Sequence, residues 1–124
     1  MNISQEIENA FGKFSDGVIT EEFIERNPNL MEIEGELDLM VIVPAYLKWC
    51  MKHGEENGNL VCSYTLSCLS EYGRAKDTAN SHLNFKHLCN SQQKSTVLSF
   101  LKWCLSNFEL VEKKHIERAI KNWQ

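Results

Sequence analysis

Two stretches of this chain, Tyr46-Leu47-Lys48-Trp49-Cys50-Met51 and Phe100-Leu101-Lys102-Trp103-Cys104-Leu105, are apolar almost all the way round. A helix with one face in water keeps a polar stripe, so such segments belong to the interior of a helical core. They set the expected fold: an all-α, single-domain bundle of about five or six helices over residues 1–124, with 44–53 and 91–107 at its centre. At 124 residues and 43% hydrophobic, the chain is long enough to bury a core of that kind. The Leu-Lys-Trp-Cys echo covers only one helix at a spacing of 54 residues, so it reflects a shared packing demand rather than an internal repeat.

The other elements follow from periodicity and punctuation. Ile7, Ala10, Phe11 and Phe14 fall on one helical face, with Ser4 as the expected N-cap and an end near Ser15-Asp16-Gly17. Thr20 caps a second, short helix that Asn27-Pro28-Asn29 stops, and Ile19 and Ile24 are placed as a hydrophobic staple. Between Leu30 and Val43 two patterns compete, because Leu37, Leu39, Val41 and Val43 alternate as in a strand while Leu37, Met40 and Val41 suit a helix. Pro44 disfavours helical geometry at Val43 and is welcome at a first helical position. The expectation is therefore a helix from Pro44 to His53, closed by Gly54, with a short extended segment allowed at 37–43.

A further helix runs from Leu60 to Tyr72, with Gly73 placed as its C′ residue, and residues 74–84 form the longest exposed loop. Asn90 and Gln93 make a capping box for the second central helix, whose polar stripe is Ser95, Ser99, Lys102 and Ser106. Ile116, Ala119, Ile120 and Trp123 mark the amphipathic helix that closes the bundle.

Several of these stretches occur together in another setting. Ile7-Glu8-Asn9-Ala10-Phe11, Val43-Pro44-Ala45-Tyr46-Leu47, Phe85-x-x-Leu88, Gln93-Lys94-x-x-Val97-x-x-Phe100-Leu101 and Ala119-Ile120-x-x-Trp123 resemble an uncharacterised bacterial helical domain family, a domain of unknown function with a Leu-Pro-Ala-Tyr helix start. The chain departs from that pattern in Val43 for Leu, in an inserted Cys89, and in Leu39-Met40-Val41-Ile42 where an aromatic run precedes the proline. The resemblance implies a mostly helical fold and carries over no catalytic residue.

Catalytic chemistry finds little purchase. No serine lies in a Gly-x-Ser-x-Gly elbow, no cysteine has a local protease signature, and the six glycines form no phosphate-cradling loop. Cys50-x-x-His53 places two metal-ligand types one helical turn apart and His87-x-Cys89 offers two more, but only one pair has helical spacing. The odd count of five cysteines, mostly on apolar helical faces, reads as reduced thiols serving as small hydrophobes. No catalytic, cofactor-binding or metal residue is assigned. Lys113, Lys114, Arg118 and Lys121 give the last helix a basic face, yet Glu112 and Glu117 interrupt it and the pI is about 5.6, so nucleic acid is not the expected partner. No apolar run approaches a membrane span, and Met1-Asn2-Ile3-Ser4-Gln5-Glu6 lacks the marks of a signal peptide, so the expected setting is the cytoplasm.

Charge is the remaining signal. Residues 1–71 hold thirteen acids against four bases, while residues 72–124 hold nine bases against four acids. Glu21, Glu22, Glu25, Glu32, Glu34, Glu36 and Asp38 crowd one stretch, offset only by Arg26, and their excess exceeds the net −4 of the whole chain. The ordinary reading of a charge run is a solvated face. The concentration here favours a partner-binding surface: a non-enzymatic protein-binding module, in its sharpest form an immunity protein or antitoxin that covers the positive surface of a basic, nuclease-like toxin. Two other classes stay open, a regulatory or scaffold subunit without a toxin partner, and a small enzyme or metal-binding protein using Cys50, His53, His87 and Cys89.

Overall fold

A computed structural model of the chain describes residues 2–12, 19–35, 38–55 and 60–124. Helix α1 (Ile3–Phe11) buries Ile7 and Phe11 on one face. Its N-cap is Asn2, whose side chain accepts a hydrogen bond from the Gln5 amide at 2.8 Å, and Ser4 lies inside the first turn. The helix stops at Gly12, where φ of +83° breaks the right-handed path earlier than residues 15–17. Phe14, Ser15, Asp16 and Gly17 lie outside the described residues. Helix α2 (Glu21–Arg26) begins as expected, with Thr20 Oγ1 accepting from the Phe23 amide at 3.1 Å. A 3₁₀ turn follows at Leu30–Glu32, capped by Asn29.

Helix α3 (Leu39–His53) begins five residues before Pro44. Asp38 caps it by accepting from the Met40 amide at 3.0 Å, so the allowed extended segment is helical from Leu39 onward. Glu36 and Leu37 lie outside the described residues. The energetic reason is burial. A proline inside a helix costs about 3 kcal/mol. Leu39, Ile42 and Val43 become at least 94% buried on the helical face that continues through Tyr46, Leu47 and Cys50, and each such side chain contributes about 1.5–3 kcal/mol. Three of them outweigh one missing hydrogen bond.

Helix α4 (Val61–Arg74) runs through Gly73, which is therefore not a C′ residue. A Cβ at Gly73 would lie 2.7 Å from Trp123 Cδ1, so the missing side chain lets the last helix approach. The loop 75–84 leads to α5 (Phe85–Leu88), then to α6 (Ser91–Asn107) and α7 (Lys113–Trp123). The capping box of α6 is present in both directions, each bond at 2.8 Å. Gln93 also donates to the Ala10 carbonyl at 3.0 Å, which ties the start of α6 to the end of α1.

The fold is all-α, and among the described residues there is no strand. Each of the five long helices packs chiefly against two others, and the pairs close a ring in the order α1, α3, α4, α7, α6. The two Leu-Lys-Trp-Cys segments thus sit on α3 and α6, with α1 packed against both. Leu47, Cys50, Leu101 and Cys104 are fully buried and Lys102 is exposed, as a thin polar stripe requires. Trp103 is only half-buried, edge-on to Phe108, whereas Trp49 is 5% exposed.

Phe85 joins the ring from inside. Its ring centroid lies 6.0 Å from Phe11 of α1, 5.6 Å from Tyr72 of α4 and 5.8 Å from Trp123 of α7. Phe85→Ala is expected to lower the unfolding free energy by about 3–5 kcal/mol. Urea denaturation would show this as a lower midpoint, and Phe85→Leu, which keeps most of the volume, would lose less.

Candidate functional site

The acidic stretch runs from α2 through the 3₁₀ turn to the start of α3, and its carboxylates divide by what holds them. Glu21 is engaged twice: Oε2 lies 2.7 Å from Lys52 Nζ and Oε1 lies 2.8 Å from His53 Nε2. These contacts fasten α2 to the last turn of α3. Glu22 pairs with Arg26 at 2.6 Å across one helical turn, both side chains well exposed. Asp38 serves as the α3 cap. Glu25 on α2, Glu32 in the 3₁₀ turn and Glu34 just beyond it are exposed, and no ion pair among the described residues reaches them. Glu36 lies outside the described residues.

Glu34 borders a groove of about 330 Å³ whose walls include Leu30, Met31, Ile33, Leu39 and Tyr72, with His82 at its edge. Met31 is 41% exposed there. An exposed carboxylate beside an apolar wall offers a partner both charge and contact area. Periodicity alone placed the carboxylates but not this wall, because Tyr72 and His82 come from distant parts of the chain.

Glu55 is a carboxylate with a different role. It follows the helix-ending Gly54 and accepts hydrogen bonds from three successive amides, Glu109 at 2.7 Å, Leu110 at 2.9 Å and Val111 at 2.9 Å. It organises the α6–α7 connection and holds Leu110, 74% exposed, at the surface. Nothing local to Glu55 in the sequence signals a partner 54 residues away.

The Cys/His set does not converge. Cys50 is fully buried and burial pushes its thiol well above the usual range. The His53 ring lies tilted against Trp49, centroids 4.6 Å apart, with Nε2 on Glu21. His87 Nε2 lies 2.7 Å from the Ala75 carbonyl oxygen, and Cys89 is 6% exposed with its thiol pushed up to about 12 by burial. Among the described residues no three His, Cys, Asp or Glu side chains are grouped to hold a metal. All five cysteines are free thiols in the interior, and no helix among the described residues is long and apolar enough to cross a membrane. Along α7, Lys113, Lys114, Arg118 and Lys121 are exposed.

Comparison of the chain with protein-family models, with curated proteins and with solved structures finds no match.

Two outcomes follow from this chemistry. Native protein treated with iodoacetamide at mildly alkaline pH is expected to stay unlabelled, while the denatured chain takes up five equivalents by mass spectrometry. Hydrogen bonds from Lys52 and then His53 hold the Glu21 carboxyl below its ordinary value. Its contribution to stability is therefore present above the unfolded-state pKa and lost as pH falls through the lowered folded-state value. Because the pair is largely exposed, Glu21→Gln should cost less than about 1 kcal/mol near neutrality. Urea midpoints of the variant and the native protein should converge under acid conditions.

Proposed function

We propose that this chain is a non-enzymatic, cytoplasmic protein-binding module that docks a basic partner through Glu25, Glu32 and Glu34, with Glu22 and Asp38 at the margins of the surface. In its sharpest form the module is an immunity protein or antitoxin that covers the positive active-site surface of a nuclease-like toxin. The observation that carries the reading is the state of those three carboxylates: they are exposed and free of ion pairs among the described residues, within a single stretch of the chain. A partner that pairs with them breaks no internal salt bridge, so its positive charge is matched without a compensating loss. Unpaired surface charge of one sign also accelerates encounter with an oppositely charged protein, which rapid inhibition needs.

The groove beside Glu34 supports the same reading, since apolar walls next to free charge suit a mixed protein contact. Glu21 contributes less than its place in the sequence suggests, because Lys52 and His53 already occupy its oxygens.

The test is capture of a partner from the soluble extract of the source cells at low and high salt. A basic partner should be retained at low salt and released at high salt. Glu25→Lys, Glu32→Lys and Glu34→Lys combined should weaken its binding by about tenfold or more, while Glu21→Gln changes it little. Equal retention of the partner by the triple reversal would remove this surface from consideration. Growth rescue on co-expression with the captured partner separates toxin inhibition from a scaffolding role.

A further inference from the structure

Two core tyrosines end differently. Tyr46 of α3 is fully buried, and its hydroxyl donates to the Asn27 carbonyl. Tyr72 of α4 is 1% exposed with its ring against Phe85, yet no hydrogen bond among the described residues reaches its hydroxyl. Buried tyrosine hydroxyls generally find a partner. The unpartnered polar atoms sealed inside the fold among the described residues are Trp49 Nε1, Thr65 Oγ1 and Asn84 Oδ1, and the Tyr72 oxygen is not one of them. An unpartnered oxygen that is not sealed meets open space. Tyr72 walls the groove of about 330 Å³ beside the 3₁₀ turn, and it does not border the spaces between α2 and α3 or between α4 and α7. Its hydroxyl therefore opens onto that groove.

The surroundings of this oxygen are apolar, with negative charge at the edge. Leu30 and Leu39 are buried in the wall and Met31 is 41% exposed. Asn29 Oδ1 fixes the turn by accepting from the Met31 amide at 3.1 Å. Glu34 is exposed with no ion pair among the described residues, and Gly35, at φ of +97°, turns the chain directly after it. Ser81 and His82 come from the 75–84 loop, and no lysine or arginine stands among the described residues of the wall. The groove thus offers a carboxylate and a phenol oxygen beside an apolar surface, without a cation of its own.

We infer that this groove holds an arginine side chain of the basic partner, an inference that rests on the docking proposed above. The methylene stem lies on Leu30, Met31 and Leu39, and the guanidinium donates to the Glu34 carboxylate and the Tyr72 hydroxyl oxygen. A guanidinium carries five donors in a planar fork and is more weakly hydrated than an ammonium, so it suits an apolar wall with separated acceptors. Lysine would bring a compact, strongly hydrated charge that loses more on leaving water. A carboxylate side chain would face Glu34, and an apolar one would leave the Tyr72 oxygen unpaired. Arginine is also among the side chains that most often anchor protein interfaces.

Titration of the isotope-labelled full chain with acetyl-arginine amide, followed by amide NMR shifts, tests this without any partner. Acetyl-lysine amide and acetyl-citrulline amide, the latter an uncharged isostere of arginine, serve as comparisons. The arginine compound should give saturable shifts at Met31, Glu34 and Tyr72, with both comparisons clearly weaker. Glu34→Gln and Tyr72→Phe should each lower its affinity by about tenfold. Because the Tyr72 hydroxyl has no partner within the fold, Tyr72→Phe should leave the urea midpoint unchanged or raised. Absence of saturable shifts, lysine or citrulline binding as tight as arginine, unchanged affinity in Tyr72→Phe, or a lowered urea midpoint in that variant would each overturn the assignment. A null titration with a basic partner still captured removes the arginine anchor and keeps the charged surface. Saturable arginine binding with no basic partner captured keeps the guanidinium site and removes the docking.

Discussion

Phe85 sits where three helices meet, and the rest of the architecture depends on its ring being buried there. The helix that carries it has four residues and no side-chain cap, far too little to be stable by itself. Its stability comes from contacts around it. The ring packs among Phe11, Tyr72 and Trp123, while Lys86 donates to the Asn122 carbonyl at 2.7 Å and Asn84 donates to the Thr78 carbonyl at 3.0 Å. The same junction explains Gly73: α7 can approach α4 closely enough for Trp123 to reach both Phe85 and the Leu69 carbonyl only where α4 lacks a side chain. Closure of the helix ring is thus a consequence of one aromatic cluster and one missing methyl group.

Helix α3 carries the second dependence. Its early start buries Leu39, Ile42 and Val43 despite Pro44. Starting there brings Asp38 into service as a cap, so one acid of the surface run acquires a structural role. At its other end Lys52 and His53 hold Glu21, which positions α2 over the stripe of Ala45, Lys48 and Trp49. A space of about 480 Å³ between α2 and α3 is set by the same contacts. Charge in this region is divided into groups that fasten the fold and groups left exposed without an ion pair among the described residues. Glu21 and Asp38 belong to the first, Glu25, Glu32 and Glu34 to the second.

Features that depend on neighbours within one helical turn were legible in the chain itself. The Asn90–Gln93 capping box, the Thr20 cap, the polar stripe of α6 and the buried face of α7 all have their partners three or four residues away. Where two local solutions were chemically equivalent, the pattern did not discriminate: Asn2 and Ser4 both make good caps, and the helix begins after Asn2. At Pro44 a local rule was correct about the residue's preference and still lost, because the gain from burying the preceding turn is a property of the core.

By itself, then, the sequence determined an all-helical bundle with Leu-Lys-Trp-Cys segments buried and a negative stretch ahead of the first, because helical period and net charge are one-dimensional properties. Only the tertiary structure decided which carboxylates are free. Glu21 is engaged by residues 31 and 32 positions away, and Glu55 is taken up by amides 54 to 56 positions away. The space beside Ala45 likewise exists only once α2 is laid against α3. Pairing, cavities and orphaned donors depend on distances between remote residues, and those are fixed only when the chain has folded.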